Sequence, residues 1–130
     1  MKPYKIKFMT NGKSLEQKEK VFDSLSDAKS CFESLASDNY ACERIVLLDL
    51  NKNNILASIE FDKGIYSNTF YDSDIVKLKE EFCSELEKTY IFKLSDINEN
   101  TGRCLITCLN SGNLIPCAEC VGLDMITKAA

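Results

Sequence analysis

RIVLLDLNKNNILASIEF, residues 44–61, carries the strand signal that decides the fold. Its first part, residues 44–50, is almost continuously aliphatic, as is typical of a strand buried on both faces. In the last part, Ile55, Ala57, Ile59 and Phe61 alternate with other residues, which indicates a strand with one more exposed face. The polar run 51–54 separates the two. The stretch therefore predicts a hairpin made of a central strand, a turn and a more exposed strand.

Two elements are expected ahead of this hairpin. Residues 4–10 alternate apolar and polar side chains and run into Asn11-Gly12, a dipeptide that favours tight hairpin turns. They predict a first hairpin that returns through residues 17–23. Ser24 and Asp27 then form a capping-box pattern. The apolar stripe that follows predicts a helix ending near residue 38, with its members at helical spacing: Ala28, Cys31, Phe32, Leu35 and Ala36.

The second half of the chain predicts a connection, a helix and further strands. Residues 62–72 are interpreted as an aromatic-rich connection, and residues 73–88 as a second helix because Ile75, Leu78 and Phe82 fall on one side. Residues 91–97 are expected to be extended, and 103–109 with 114–121 to form a last hairpin. The whole pattern predicts the α+β class, with two helices packed on a mostly antiparallel sheet built from hairpins.

Length and charge favour one acidic domain. The chain has 130 residues, 45% of them hydrophobic, which is enough for a single compact domain over residues 1–130. Its net charge is −4, and six lysines lie within residues 1–20, so the rest is strongly acidic. Direct nucleic-acid binding is therefore not expected. No apolar run approaches the roughly 20 residues that cross a bilayer, and no secretory segment is apparent, so we expect no membrane partner and a cytoplasmic location.

The absence of histidine excludes several kinds of chemistry. The sequence contains no His, which removes catalytic schemes built on an imidazole base and zinc sites that mix Cys with His. Its five glycines form no phosphate-binding loop. A cysteine nucleophile would lack the usual base. We therefore expect a protein that is not an enzyme.

Four of the seven cysteines cluster near the C-terminus, at Cys104, Cys108, Cys117 and Cys120. A symmetric turn over residues 110–113 would place the first three on one face of a hairpin and Cys120 on the other. The favoured interpretation is buried thiols without a cofactor, because reduced cysteine packs as a small hydrophobe. The alternative is a structural zinc site formed by all four, which requires the strand to bend so that the sulfurs converge.

Two surfaces are candidates for binding a partner. Within residues 65–71, aromatic and small polar side chains offer rigid contact area with hydrogen-bonding edges: Tyr66, Asn68, Phe70 and Tyr71. Phe70 and Tyr71 have a second interpretation, in which they only cover the sheet. The acidic side of the expected second helix, at Glu80, Glu81 and Glu85, could attract a basic protein.

These exclusions lead to an expected function. We expect a non-enzymatic protein-binding module. Fourteen lysines against two arginines, with ten asparagines, suggest AT-rich coding. On that association the narrower hypothesis is an anti-defence inhibitor from a phage or mobile element, which blocks a host protein by occupying it. The alternative is a small zinc-binding module built on the C-terminal cysteines. An unprotected edge strand would also allow a homodimer.

Overall fold

The computed structural model describes residues 2–37, 42–83, 85, 87–109 and 118–129. The chain divides into two compact units, Met1–Tyr71 and Asp72–Ala130. The single domain over residues 1–130 stays a prediction about cooperative unfolding. Both units are built on antiparallel sheets, and the described residues contain one α-helix. The sheet-rich α+β class is therefore confirmed, but the expectation of two helices is wrong.

The first unit contains a six-stranded antiparallel sheet. Its strands follow the order β2-β1-β4-β5-β6, with β3 also paired to β1. In chain order they are β1 (Tyr4–Thr10), β2 (Lys13–Ser14), β3 (Lys20–Phe22), β4 (Arg44–Asp49), β5 (Asn54–Asp62) and β6 (Ile65–Tyr71). All six residues of β4 are buried. The predicted central strand and its partner are thus confirmed, because β4 lies between β1 and β5.

The return of the first hairpin is broken into two short strands. β2 follows Asn11-Gly12, where both residues have positive φ, and pairs with the end of β1. A 3-10 turn over Glu16–Lys18 then interrupts the chain before β3 pairs with the start of β1. The predicted return over residues 17–23 is therefore correct only from Lys20 onward. The polar residues of the turn offer no apolar side chain to bury, so they do not continue the strand.

The predicted helix of the first unit is confirmed as α1 (Leu25–Leu35). Ser24 caps it, since its side chain accepts a hydrogen bond from the N–H of Asp27 at 3.4 Å. One face of α1 is buried, at Ala28, Phe32 and Leu35. That face belongs to a core shared with one face of the sheet, whose members include Ile6, Phe8, Ile45, Leu47, Ala57 and Ile59.

β6 replaces the expected connection over residues 62–72. The chain leaves β5 at Asp62 and turns through Lys63 and Gly64, both with positive φ. Positive φ at both central residues is what a two-residue hairpin turn of type I′ requires. The turn makes Ile65 the direct partner of Asp62, and β6 becomes an outer strand of the sheet.

The second unit contains a five-stranded sheet in the order β10-β9-β8-β7-β11. Its strands are β7 (Ile75–Leu78), β8 (Phe92–Ser95), β9 (Arg103–Cys108), β10 (Ala118–Gly122) and β11 (Ile126–Lys128). Only the 3-10 turn Leu123–Met125 separates β10 from β11, although they stand at opposite edges of the sheet. Four strand spacings would span about 19 Å if flat, more than the roughly 14 Å that four extended residues can reach. The sheet is therefore curled, with its edge strands brought toward each other.

The predicted second helix over residues 73–88 is wrong. Its first part is β7, in which Val76 and Leu78 are buried while Ile75 is exposed. Its later part contains 3-10 turns at Glu80–Phe82 and Glu87–Thr89. The positive φ of Ser73 also interrupts the chain just before β7. Burial in β7 therefore follows the two-residue period of a strand and not the helical spacing of Ile75, Leu78 and Phe82.

The last hairpin is confirmed over β9 and over residues 118–121 of its second strand, but its register differs from the predicted one. β9 and β10 pair antiparallel, with Ala118 opposite Thr107 and Val121 opposite Cys104. The symmetric turn predicted Pro116 opposite Thr107, so the register differs by two residues. A shift by an even number keeps every side chain on its predicted face. The predicted turn over residues 110–113 and the first part of the predicted second strand, residues 114–117, lie outside the described residues.

Candidate functional site

The aromatic segment predicted as a binding surface is the edge strand β6. It pairs with β5 on one side, and the sheet order places no described strand on its other side. Its seven residues, IYSNTFY, include no charged side chain. Ile65 is 68% exposed and Tyr66 is 44% exposed. An apolar and an aromatic side chain therefore lie accessible next to a tight turn.

The structure divides the predicted β6 residues between surface and core. Tyr66 is exposed and lies opposite Phe61, and its hydroxyl accepts a hydrogen bond from Oγ1 of Thr69 at 3.4 Å. Phe70 is only 1% exposed, so it belongs to the interior. The interpretation of Phe70 as a side chain that covers the sheet is therefore the one that the structure supports. Ile65, which the sequence analysis did not select, is more exposed than any of the four residues that it did select.

Tyr71 is committed to the packing of α1. Its hydroxyl donates a hydrogen bond to Oε1 of Glu33 at 2.8 Å. Its ring meets that of Phe32 edge to face at 6.4 Å, and the Lys29 ammonium lies 6.0 Å from its centroid. These contacts join β6 to the helix and hold the strand in place. Tyr71 is therefore a structural residue at the end of the candidate surface.

Asn68 is half-buried and bonds to its own strand. Its Oδ1 accepts a hydrogen bond from the N–H of Thr69 at 3.0 Å. The pairing with β5 is irregular next to it, because Glu60 lies opposite Asn68 whereas Phe61 lies opposite Tyr66. Ser67 is thus an extra residue, as in a β-bulge. The middle of β6 is consequently less regular than its sequence suggests.

None of the acidic candidates lies on a helix: Glu80 and Glu81 lie on a 3-10 turn, and Glu85 lies between that turn and the next one. Glu80 and Glu81 form the start of one turn, and both are exposed, as is Glu85. The carboxylate of Glu85 forms an ion pair with the Lys88 ammonium at 3.0 Å. Exposed pairs of this kind contribute little to stability. The three carboxylates therefore remain available at the surface, but they do not form the continuous helix face that was expected.

The thiols of the C-terminal hairpin lie on both faces of its strands. Cys104 is buried and Cys108 is half-buried, and both belong to the same face of β9. Cys120 is exposed and lies opposite Leu105, hence on the other face. This arrangement confirms the predicted faces for these three residues. Cys117, the remaining member of the proposed zinc set, lies outside the described residues.

Metal binding at these thiols stays a prediction. Within the part of the chain that the structure describes, no group of three or more His, Cys, Asp or Glu side chains is placed to hold a metal ion. A tetrahedral site would need Cys120 to turn toward the face of Cys104. Elsewhere, burial raises the pKa of the Cys42 thiol, which disfavours its thiolate form.

An arginine contact near Cys120 was not anticipated from the sequence. Arg103 donates from Nε to Sγ of Cys120 at 3.4 Å and from Nη2 to the Cys120 carbonyl at 3.0 Å. Both residues line a cleft of about 260 Å³ together with Asn98. The side-chain oxygen of Asn98 already accepts hydrogen bonds from two backbone amides of its own loop. Arg103, Cys120 and the side-chain oxygen of Asn98 are thus hydrogen-bonded within the protein.

Comparison with known proteins gives no match to a family model, to a curated protein or to a solved structure. The described residues include no helix with the length and apolar character needed to span a membrane. Arguments about function therefore depend on the surface chemistry alone.

Proposed function

We propose that this chain is a non-enzymatic protein-binding module that contacts its partner through the start of β6. The observation that carries the proposal is the exposure of Ile65 and Tyr66 on an uncharged edge strand. Large apolar and aromatic side chains at a rigid position are typical of the residues that dominate binding energy in protein interfaces. The tight turn and the packing of Tyr71 on α1 give that rigidity.

The chemistry of this surface favours a protein over a nucleic acid. Nucleic-acid binding depends on cationic side chains that neutralise phosphates. Residues 65–71 contain none, and Asp62 lies directly opposite Ile65. A partner surface with an apolar pocket and hydrogen-bonding groups fits Ile65, Tyr66 and the hydroxyl of Thr69 better.

Three exposed carboxylates of the second unit favour a basic partner, which is a second and finer proposal. Glu80, Glu81 and Glu85 are exposed carboxylates that can accelerate encounter with a positively charged protein. The narrower hypothesis of a phage or mobile-element inhibitor that occupies a host protein is consistent with this role. It depends on the lysine-rich and asparagine-rich composition, and a partner's identity would decide it.

The test is affinity capture followed by titration. The wild-type chain captures a partner from a bacterial lysate, and the purified partner is titrated against Ile65→Ala and Tyr66→Ala. Each truncation is expected to weaken binding about 10-fold to 30-fold, as residues that dominate an interface do. Val21→Ala is the matched control, because Val21 is 45% exposed on β3 of the same unit. The control should bind as the wild type does.

Equal binding by the wild type and the three variants would show that β6 does not contribute to the interface.

The proposal of a basic partner has its own test, in which Glu80, Glu81 and Glu85 are replaced together by lysine. A basic partner should then associate more slowly, with a weaker dependence of its association rate on salt. An unchanged association rate would show that these three carboxylates play no part in binding.

A further inference from the structure

The outer side of β6 has the sequence properties of a strand that recruits another strand. Residues 65–71 combine β-branched and aromatic side chains with no charge and no proline. Natural edge strands usually carry charged residues or proline, because an unpaired edge is a template for a further strand. Nothing in this segment would repel a second copy of itself.

Backbone geometry identifies the groups that such a strand would have to use. The N–H of Phe61 donates to the carbonyl of Glu43 at 2.9 Å, on the β4 side of β5. Successive residues of a strand turn their backbone groups to opposite sides, so Glu60 and Ser58 face β6. Their partners Asn68 and Phe70 then face β5. Thr69, which lies between them, therefore directs its N–H to the free edge.

This outward amide is already occupied. The N–H of Thr69 donates to Oδ1 of Asn68 at 3.0 Å, so the neighbouring side chain takes the place that a carbonyl of an added strand would fill. The extra residue Ser67, which comes just before Asn68, bends the strand and interrupts the regular pairing with β5. The two features together obstruct the central part of the edge.

We propose that the side chain of Asn68 caps the edge of β6 and so prevents this chain from pairing strand to strand with a second copy of itself. A two-fold arrangement would place Thr69 opposite Thr69 of the copy, and each amide would need to bond to the opposite carbonyl. Asn68 must be displaced in both chains before those bonds form. The proposal concerns self-association and does not depend on whether a partner binds Ile65 and Tyr66.

Replacement of Asn68 tests the proposal. Asn68→Val removes the acceptor and adds a β-branched side chain, whereas Asn68→Asp keeps an acceptor and adds charge to the edge. Sedimentation velocity over a range of concentrations should show at least about tenfold tighter dimerisation of the valine variant than of the wild type, because two amides are released per dimer. The aspartate variant should dimerise no more than the wild type.

Two further variants separate strand pairing from a general increase in hydrophobicity. Asn54→Val adds the same side chain at an exposed position at the start of β5, and it should leave the association state unchanged. Asn68→Val combined with Thr69→Pro keeps the apolar side chain but removes the outward N–H, which an edge strand tolerates. This double variant should lose the gain in dimerisation.

Amide hydrogen exchange at low protein concentration tests the hydrogen bond between Asn68 and Thr69 in the monomer, without any association. In Asn68→Ala the Thr69 N–H should exchange with solvent several times faster than in the wild type, since its acceptor is lost. An unchanged Thr69 exchange rate, or a valine variant that associates no more than the wild type, would overturn the proposal. Retained dimerisation in the double variant would overturn it as well.

Discussion

The ammonium of Lys5 lies 2.8 Å from the carboxylate of Glu19, and this ion pair fastens β1 to the residue just before β3. Ser14 also donates a hydrogen bond to the same carboxylate. The hydrogen bonds from Lys5 and Ser14 lower the pKa of Glu19 below its ordinary value of 4.5. Lys5 thus helps to hold the broken first hairpin together.

The Lys5–Glu19 pair makes the stability of the chain depend on pH in a defined direction. Because the pKa of Glu19 is lower in the folded state, its contribution is complete above pH 4.5 and is lost as the pH falls through the folded pKa. Glu19→Gln should remove this part of the pH dependence. We expect urea unfolding of the variant to change less than that of the wild type as the pH is lowered below 4.5.

Glu16→Gln is the control for this prediction, since Glu16 is an exposed carboxylate in the same segment. Its unfolding profile should follow that of the wild type. Parallel profiles of the wild type and Glu19→Gln across the acidic range would show that the pair contributes nothing to stability.

The cap of α1 gives a prediction of different physical origin. Ser24→Ala removes the acceptor for the N–H of Asp27 and should lower the free energy of unfolding by about 1 kcal/mol. Ser24→Asp keeps an acceptor and places a negative charge at the helix start, so it should retain most of the stability. Thermal unfolding of the two variants checks the effect, and equal losses in both would argue against capping as its cause.

Capping and periodicity explain why α1 could be predicted. Its start has a chemical signal in Ser24, and its buried residues Ala28, Phe32 and Leu35 keep the helical spacing seen in the sequence. β4 was equally clear, because a strand buried on both faces needs a continuous apolar run. In both elements, local preference and tertiary burial agree.

The second helix could not be excluded by spacing alone. Ile75, Leu78 and Phe82 fit a helical stripe, yet Ile75 and Phe82 are 42% and 45% exposed. β7 is held by backbone pairing with β8 and β11, partners that are distant in sequence. Short apolar segments fit either period, and pairing with remote strands decides between them.

Only part of the candidate surface on β6 could be predicted, because the sequence signal for this strand is a turn and not an apolar stripe. The aromatic content of the segment marks Tyr66 as a candidate, whereas the edge strand depends on the Lys63–Gly64 turn, which lies in the segment that the sequence pattern assigns to a connection. Without that strand, neither the burial of Phe70 nor the cap at Asn68 could be foreseen. The sequence does contain a signal for this strand, because Gly64 stands next to an uncharged run of residues that favour strands.

The single domain is open to a direct calorimetric test. Phe32→Ala removes a fully buried ring in the first unit, and Ile106→Ala does the same for an aliphatic side chain in the second. Each should cost about 2–5 kcal/mol. If the chain is one cooperative domain, as the sequence predicts, both variants should lower the temperature of one shared transition. Two transitions, each lowered by only one variant, would show that the units unfold separately.

The cysteines of the last hairpin give opposite predictions for packing and for zinc. Cys104 is buried in β9, whereas Cys120 is exposed on the other face. If the thiols only pack, Cys104→Ala should cost about 1–2 kcal/mol, and Cys120→Ala less than about 0.5 kcal/mol. A metal chelator should then leave the urea midpoint unchanged.

A zinc site would reverse this asymmetry, because every ligand of a structural site contributes to folding whatever its exposure. Cys120→Ala and Cys104→Ala would then be similarly destabilising, and the chelator would lower the wild-type midpoint to that of the variants. We expect the unequal result, since Cys104 and Cys120 lie on opposite faces and cannot share a tetrahedral site without bending β10. Elemental analysis of the purified chain gives the independent check, with a zinc content well below one atom per chain as the expected outcome.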